Sequence, residues 1–322
     1  LSEDWTHFDG KARCEQPNDY FSPMNKLVRS DLFYSQPDKD IDIYALLADY
    51  KYNPNAQNEW LAGIKTSLIK SNNTFLFKRN GTIDLQRSNK FDYNEHNIEG
   101  YTQYTHTWNK LELSAGLRME YMYTHNKLNA YTNHKTEENN RNKLRLFPNM
   151  SVSYTFNEKN KLALLYSRRQ DKPRYEDLNP FEYLLDELSY WKGNPFLKPQ
   201  ISNKITLNYT RESLSFNLYY NKLNDYFTSL TDAFENNKTI MTTKNIGTQQ
   251  QIGLEATFSK HLNSWWNFST NIGFYYFVNK LDYENYKQEY KRPSCSFSAN
   301  SNILLPWGIN FELSGRYYSK RQ

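Results

Sequence analysis

Between Leu111 and Tyr123 the side chains alternate with a period of two. Leu111, Leu113, Ala115, Leu117, Met119, Tyr121 and Tyr123 fall in one set, and Glu112, Ser114, Gly116, Arg118, Glu120 and Met122 in the other. Alternate residues of a strand leave opposite faces, so the first set makes an apolar face ending in two tyrosines and the second a face with three charges. Thirteen residues is long for a strand in a globular sheet, where about five or six is usual. Tilted at about 45°, such a strand climbs about 30 Å, the thickness of a bilayer core. Tyrosines at one end match the aromatic girdle at a lipid–water boundary. The stretch reads as one stave of a transmembrane β-barrel.

Composition agrees with that reading. The chain has 322 residues, a formal net charge of +5 and a mean hydropathy of −0.90. No run of about 18 apolar residues occurs, which excludes helical spans. A barrel needs only every second residue apolar across its lipid band, so low hydropathy does not exclude it. Aromatic residues make up 16% of the chain, which favours strands over helices. Lys and Arg are scattered without a concentrated patch, so no nucleic-acid partner is expected. Cys14 and Cys295 form no framework; two free thiols is the favoured reading, with a disulfide left open. The six histidines show no zinc spacing. There is no serine-hydrolase elbow, phosphate-binding loop or cluster of metal ligands. Catalytic residues, metal and cofactor are therefore all expected to be none. The start of the chain carries no signal peptide, so the expectation is a removed leader or a piece of a longer protein.

Taken in order, Leu1 to Asp38 reads as a polar outer-side loop or the end of a preceding strand, with Pro17, Pro23 and Pro37 as breakers. Residues 40–322 then read as barrel. Asp40–Tyr52 and the run from Trp60 to Leu68 are the first two strands, joined by a turn at Asn53–Asn58. The third, Phe91 to Trp108, turns at Asn109-Lys110 into the stave described above. Met150–Phe156 and Lys161–Arg169 form the next pair, then Ile205–Tyr209 and Leu214–Tyr220, Ile252–Phe258 and Trp266–Tyr276, and Cys295–Ser301 and Ile309–Tyr317. The count is roughly twelve. Between the pairs lie long polar stretches, Ser71–Lys90, His125–Lys143, Gln170–Gln200, Asp225–Thr243 and Leu281–Arg292, all read as loops. Short and long connections alternate without exception, as in outer-membrane barrels with short periplasmic turns and long extracellular loops. The predicted fold is all-β, a transmembrane antiparallel up-and-down barrel, here partial.

Four motifs carry a family resemblance. Gly116-Leu117-Arg118-Met119-Glu120 resembles a strand common in TonB-dependent receptors. Tyr166-Ser167-Arg168-Arg169 with Pro173-Arg174-Tyr175 and Leu178-Asn179-Pro180-Phe181 is more specific. Gly193-Asn194-Pro195-Phe196-Leu197-Lys198-Pro199 resembles their Gly-Asn-Pro-x-Leu-x-Pro signature, and Gly253-Leu254-Glu255 a later strand. In this order they resemble the outer-membrane β-barrel family of Bacteroidota, which is related to TonB-dependent receptors. The resemblance implies a bacterial outer-membrane location, a lipid environment, import of a scarce nutrient, and coupling to an energy-supplying TonB protein through a plug domain. Neither a plug nor the usual aromatic last residue is present, so an interior part of a barrel domain, with plug and final strands absent, is expected.

Ligand candidates concentrate in Gln170–Gln200. Tyr183, Tyr190 and Trp191 are rings able to stack on sugars, haem-like rings or peptides, although packing within the loop is the simpler role. Arg168 and Arg169 adjoin this loop as a candidate anion site; neighbours on a strand diverge, so structural roles are favoured. Glu112, Arg118 and Glu120 read as charges facing a watery lumen. Two function classes stand: an importer, and a structural or adhesive barrel that binds partners through its surface loops.

Overall fold

A computed structural model describes residues 1–130, 137–186, 188–235, 238–283 and 286–319, nearly all of them in antiparallel strands. Strands β1 (Ser2–Lys11) and β2 (Cys14–Phe21) run end to end along one side of β3 (Leu27–Asn55). Next come β4 (Asn58–Arg79), the short β5 (Thr82–Ile83), β6 (Asn89–Trp108), β7 (Leu111–Ala130), β8 (Glu137–Asn157) and β9 (Asn160–Asp171). After a single helical turn at Tyr175–Leu178 there is a small hairpin, β10 (Glu182–Asp186) and β11 (Ser189–Lys192). The wall resumes with β12 (Gln200–Arg211), β13 (Leu214–Glu235), β14 (Lys238–Asn263), β15 (Trp266–Tyr283), β16 (Tyr286–Leu304) and β17 (Asn310–Tyr318). Sequential wall strands pair with each other throughout, with β9 joined directly to β12. The sheet is not closed.

The faces follow the alternation. Leu117, Met119, Tyr121 and Tyr123 are exposed on the outer face of β7, whereas Ser114, Glu120, Thr124 and Asn126 are buried on the inner one. Register carries the same division across the wall: Leu113 lies opposite Val152 and Ser114 opposite Ser151. Aromatic rings line the outer face near the short turns, with Trp60 against Tyr104, Tyr154 against Phe156, and Trp265 stacked on Trp266 at 6.0 Å. Inside, a Cβ on Gly253 would collide with the Tyr219 ring that lies across it, so glycine there makes room for the tyrosine.

All six expected short turns are present at one end. Three of them carry left-handed residues: Asn109 (φ 48°), Glu212 (φ 49°), and Trp307 (φ 68°) with Gly308 (φ 77°), a conformation suited, in the first two, to two-residue hairpins. The other end differs from expectation. Ser71–Lys90, His125–Lys143, Asp225–Thr243 and Leu281–Arg292 are mostly strand, not loop, with residues 131–136, 236–237 and 284–285 outside the described set. Above the lipid band no face needs to be apolar, so the ladder continues while the hydrophobic alternation that marks it disappears. Leu1–Asp38 is likewise strand, adding one stave to the twelve expected. Its prolines are accommodated: Pro17 lies in β2, which pairs on one side only, and the Pro37 carbonyl accepts from Ala12 where β1 gives way to β2.

Topology gives a direct expectation. With Cys14 and Cys295 replaced by serine, a cysteine at Thr82 should react with a membrane-impermeant maleimide on intact cells. One at Glu158, in the turn between β8 and β9, should react only after the outer membrane is opened. The opposite pattern would invert the orientation.

Candidate functional site

Residues 172–199 leave the wall at Asp171 and return at Gln200, which pair with each other. In between, the chain folds onto the inner face instead of projecting away. Leu178, Phe181 and Leu197 pack against Phe33 of β3, Phe75 and Phe77 of β4, and Phe91 and Tyr93 of β6 in the one core cluster formed by the described residues. Phe75 is wholly buried, with ring centroids 5.5 Å from Phe181 and 5.4 Å from Tyr183. Odd-numbered residues of β4 and β6 face inward, which explains why phenylalanines at those positions collect the segment.

Its motif residues hold its shape. A Cβ on Gly193 would sit 2.1 Å from the Asn179 carbonyl oxygen, so only glycine permits this approach. Asn179 Oδ1 accepts from the Phe181 amide and Asn194 Oδ1 from the Phe196 amide, two Asx turns that fix the bends. The Asn194 amide donates to the Asp177 carbonyl, and Arg174 makes a two-pronged bond to the Asp177 carboxylate at 3.1 and 3.2 Å. Strand β11 pairs in parallel with Thr239–Thr242 of β14.

The aromatic sequence candidates are partly or wholly buried, and the two arginines are exposed. Tyr190 is 4% exposed, its hydroxyl accepting from Arg87 Nη2 at 2.8 Å with the Arg87 guanidinium over its ring. Tyr183 is half-buried, and burial pushes its phenol up to about 12. Trp191 lies opposite it in the hairpin, also half-buried. Arg168 and Arg169 are both exposed on β9, opposite Asn203 and Ser202 respectively, and as consecutive strand residues they leave opposite faces. They do not converge.

Instead the structure gathers charges that the sequence reading left unassigned. Lys172, the first residue of the segment, places Nζ 3.0 Å from Glu95 Oε1 and 3.2 Å from Glu120 Oε1. Both carboxylates are almost fully buried, and Glu95 also accepts from the Tyr93 hydroxyl. Burial by itself lowers the Lys172 pKa, but the two carboxylates outweigh it and hold the ammonium above its ordinary range. Beside this bridge, between the segment and β6–β8, lies a cavity of about 310 Å³. Arg141, Lys143 and Arg145 line it together with Lys172 and Lys198, with Glu95 as the lining carboxylate. Arg141, Lys143 and Arg145 converge because alternate residues of β8 face inward. The signal existed as an Arg-x-Lys-x-Arg pattern, hidden because most of it lay in a stretch read as loop. On the outer face, His7 Nδ1 lies 3.0 Å from Asp42 and 3.7 Å from Asp40, an exposed cross-strand grouping that linear spacing does not reveal.

Solved structures share the fold. The ferric yersiniabactin uptake receptor FyuA from Yersinia pestis superimposes with a TM-score of 0.59 at 13% identity, over 99% of this chain and 47% of that one. The copper transporter OprC gives 0.55 at 11% identity over 95% and 53%. The ferripyoverdine receptor of the Pseudomonas aeruginosa outer membrane, bound to ferripyoverdine, gives 0.52 at 13% identity over 98% and 46%. The chain thus spans about half the length of these proteins. No curated protein sequence matches it. Residues 2–322 match the model of the outer membrane protein beta-barrel family, and the chain, matched along nearly its whole length, belongs to that family of the outer membrane.

Proposed function

We propose that this chain is the barrel portion of a receptor-type importer, which captures a scarce nutrient outside and passes it through the lumen under TonB-coupled energy. The observation that carries this reading is the 172–199 segment. It turns inward and covers a charged cavity on the lumen wall, in a barrel whose fold is that of receptors named for ferric yersiniabactin and ferripyoverdine. A barrel serving only as a structural or adhesive surface gains nothing from an ordered segment folded into its mouth, because ordering a long connection costs conformational entropy. A plug domain and its TonB contact belong to this proposal, as does a ligand reached through the mouth and bordered by Trp191.

The test compares wild-type cells with cells lacking the gene. Accumulation of radiolabelled ferric siderophores, haem, copper and oligopeptides is measured with and without a protonophore. Uptake of one class should fall to background in the deletion, return with the full-length gene, and vanish with the protonophore. Unchanged uptake of every class would favour the adhesive barrel.

A further inference from the structure

We propose that the cavity beneath the 172–199 segment binds an organic polycarboxylate with a flat apolar body. Five cationic side chains line it against the single lining carboxylate, Glu95. Lys172 is engaged with Glu95 and Glu120, and Arg141 gives one N–H to the Leu197 carbonyl while its guanidinium lies 5.5 Å from the Phe196 ring. Lys143 and Lys198 have no such engagement, and Arg145, opposite Glu120 on the neighbouring strand, feels Glu120 and Asp225 without a hydrogen bond to either. Among the described residues Lys143 and Lys198 make neither an ion pair nor a side-chain hydrogen bond, and Arg145 keeps Nη1 buried with no hydrogen-bond partner. Asn126, 5% exposed and also lining the cavity, has its Oδ1 buried and unpartnered. Buried polar groups without partners are rare in folded proteins and mark places where a partner from outside fits.

The remaining walls decide what kind of anion. Tyr93, Met122, Tyr175, Leu178 and Leu197 supply an apolar surface, to which the lining prolines add. A free inorganic anion would leave that surface without contact. A planar organic body would fill it and point its carboxylates at Lys143, Arg145 and Lys198. The volume lies at the lower end of that usual for small-molecule sites. The proposal deepens the receptor reading, and rests on it only in taking occupancy to serve import.

The experiment titrates the purified full-length protein in detergent with benzene-1,3,5-tricarboxylate by calorimetry. The neutral triamide of the same ring and inorganic phosphate serve as comparisons. The tricarboxylate should bind at least about tenfold more tightly than either. Lys143→Gln with Lys198→Gln should weaken it about 25-fold, since each partly exposed charge contributes about fivefold. Both lysines are exposed, so the variant should fold; unchanged gel mobility without boiling checks this. Equal binding of acid and triamide, or full affinity in the folded double variant, would overturn the site. Phosphate binding as well as the tricarboxylate would overturn the apolar body, and no tricarboxylate binding would overturn the whole proposal. A chain that binds the tricarboxylate but imports nothing upholds the site and sinks the receptor reading. One that imports while ignoring the tricarboxylate does the reverse.

Discussion

Replacing Lys172 with Met should release the 172–199 segment from the wall while the strands stay paired. The substitution keeps much of the side chain's length and removes only the ammonium. Glu95 and Glu120, 5% and 2% exposed, then face each other's surroundings without their shared cation. Breaking one side of a buried ion pair costs about 3–5 kcal/mol; with Lys172 itself partly exposed, about 3 kcal/mol is expected. That corresponds to roughly a 100-fold rise in local opening. Trypsin cutting after Arg174 and Lys192 reports it, with amide exchange at Asn194 and Leu197 as a second probe. Adding Glu95→Gln and Glu120→Gln to the variant should recover much of the loss, because the uncompensated charges are then gone. Equal cleavage of wild type and Lys172→Met would mean the bridge holds nothing down.

The same bridge sets a pH dependence. The folded pKa of Lys172 lies above its ordinary value of 10.5. A group with a raised folded pKa contributes its stability in full below the unfolded value and loses it as pH climbs through the folded one. Opening should therefore be insensitive to this lysine from neutral pH to about pH 10, and should accelerate above that in the wild type but not in Lys172→Met.

Ala115→Arg should cost roughly 2–4 kcal/mol of barrel stability, the range for a cation placed at the lipid midplane. Ala115 stands on the outer face between Tyr104 and Met150. Ser151→Arg is the comparison, because Ser151 pairs with inward-facing Ser114 and lines the open lumen. An arginine there keeps its water and should cost much less. Refolding of the full-length protein into lipid vesicles across a urea series measures both. Equal penalties would contradict the assignment of faces.

Between turn and upper aromatic row, the sequence is enough to place the strands. Leu111 to Tyr123 shows why: a lipid face must be apolar at every second residue, so the period is written in plain view. The pairing of Tyr104 with Ala115 then follows from the two-residue turn at Asn109-Lys110. Higher up that requirement lapses. Ser71, Asn73 and Phe75 are one inward row, yet only the phenylalanine looks structural in a linear reading. The site suffered most from this. Arg141, Lys143 and Arg145 share a face only if the chain is strand there, and nothing apolar marks it as strand. Lys172 meets Glu95 and Glu120 across two separate strands, a meeting no local spacing encodes. Tyr190 reads either way in a linear view, as an anchor or, more simply, as packing, because the inside that this connection makes for itself and where the ring is buried is not written locally.

The parallel ladder between β11 and β14 also sets an order of assembly. Ser189–Lys192 can complete their pairing only once Thr239–Thr242 are in place, and those residues belong to the third strand wound after the segment itself. Phe181 and Leu197 have their wall on β4 and β6 early, but the edge of the small hairpin stays bare until β13 and β14 have closed on each other. Contacts that join distant parts of a chain form slowly, since the intervening loop must first lose its freedom. The mouth accordingly cannot set before β14 is in place, and a fault in winding β13 onto β14 would be felt in a segment the ribosome had finished some fifty residues before.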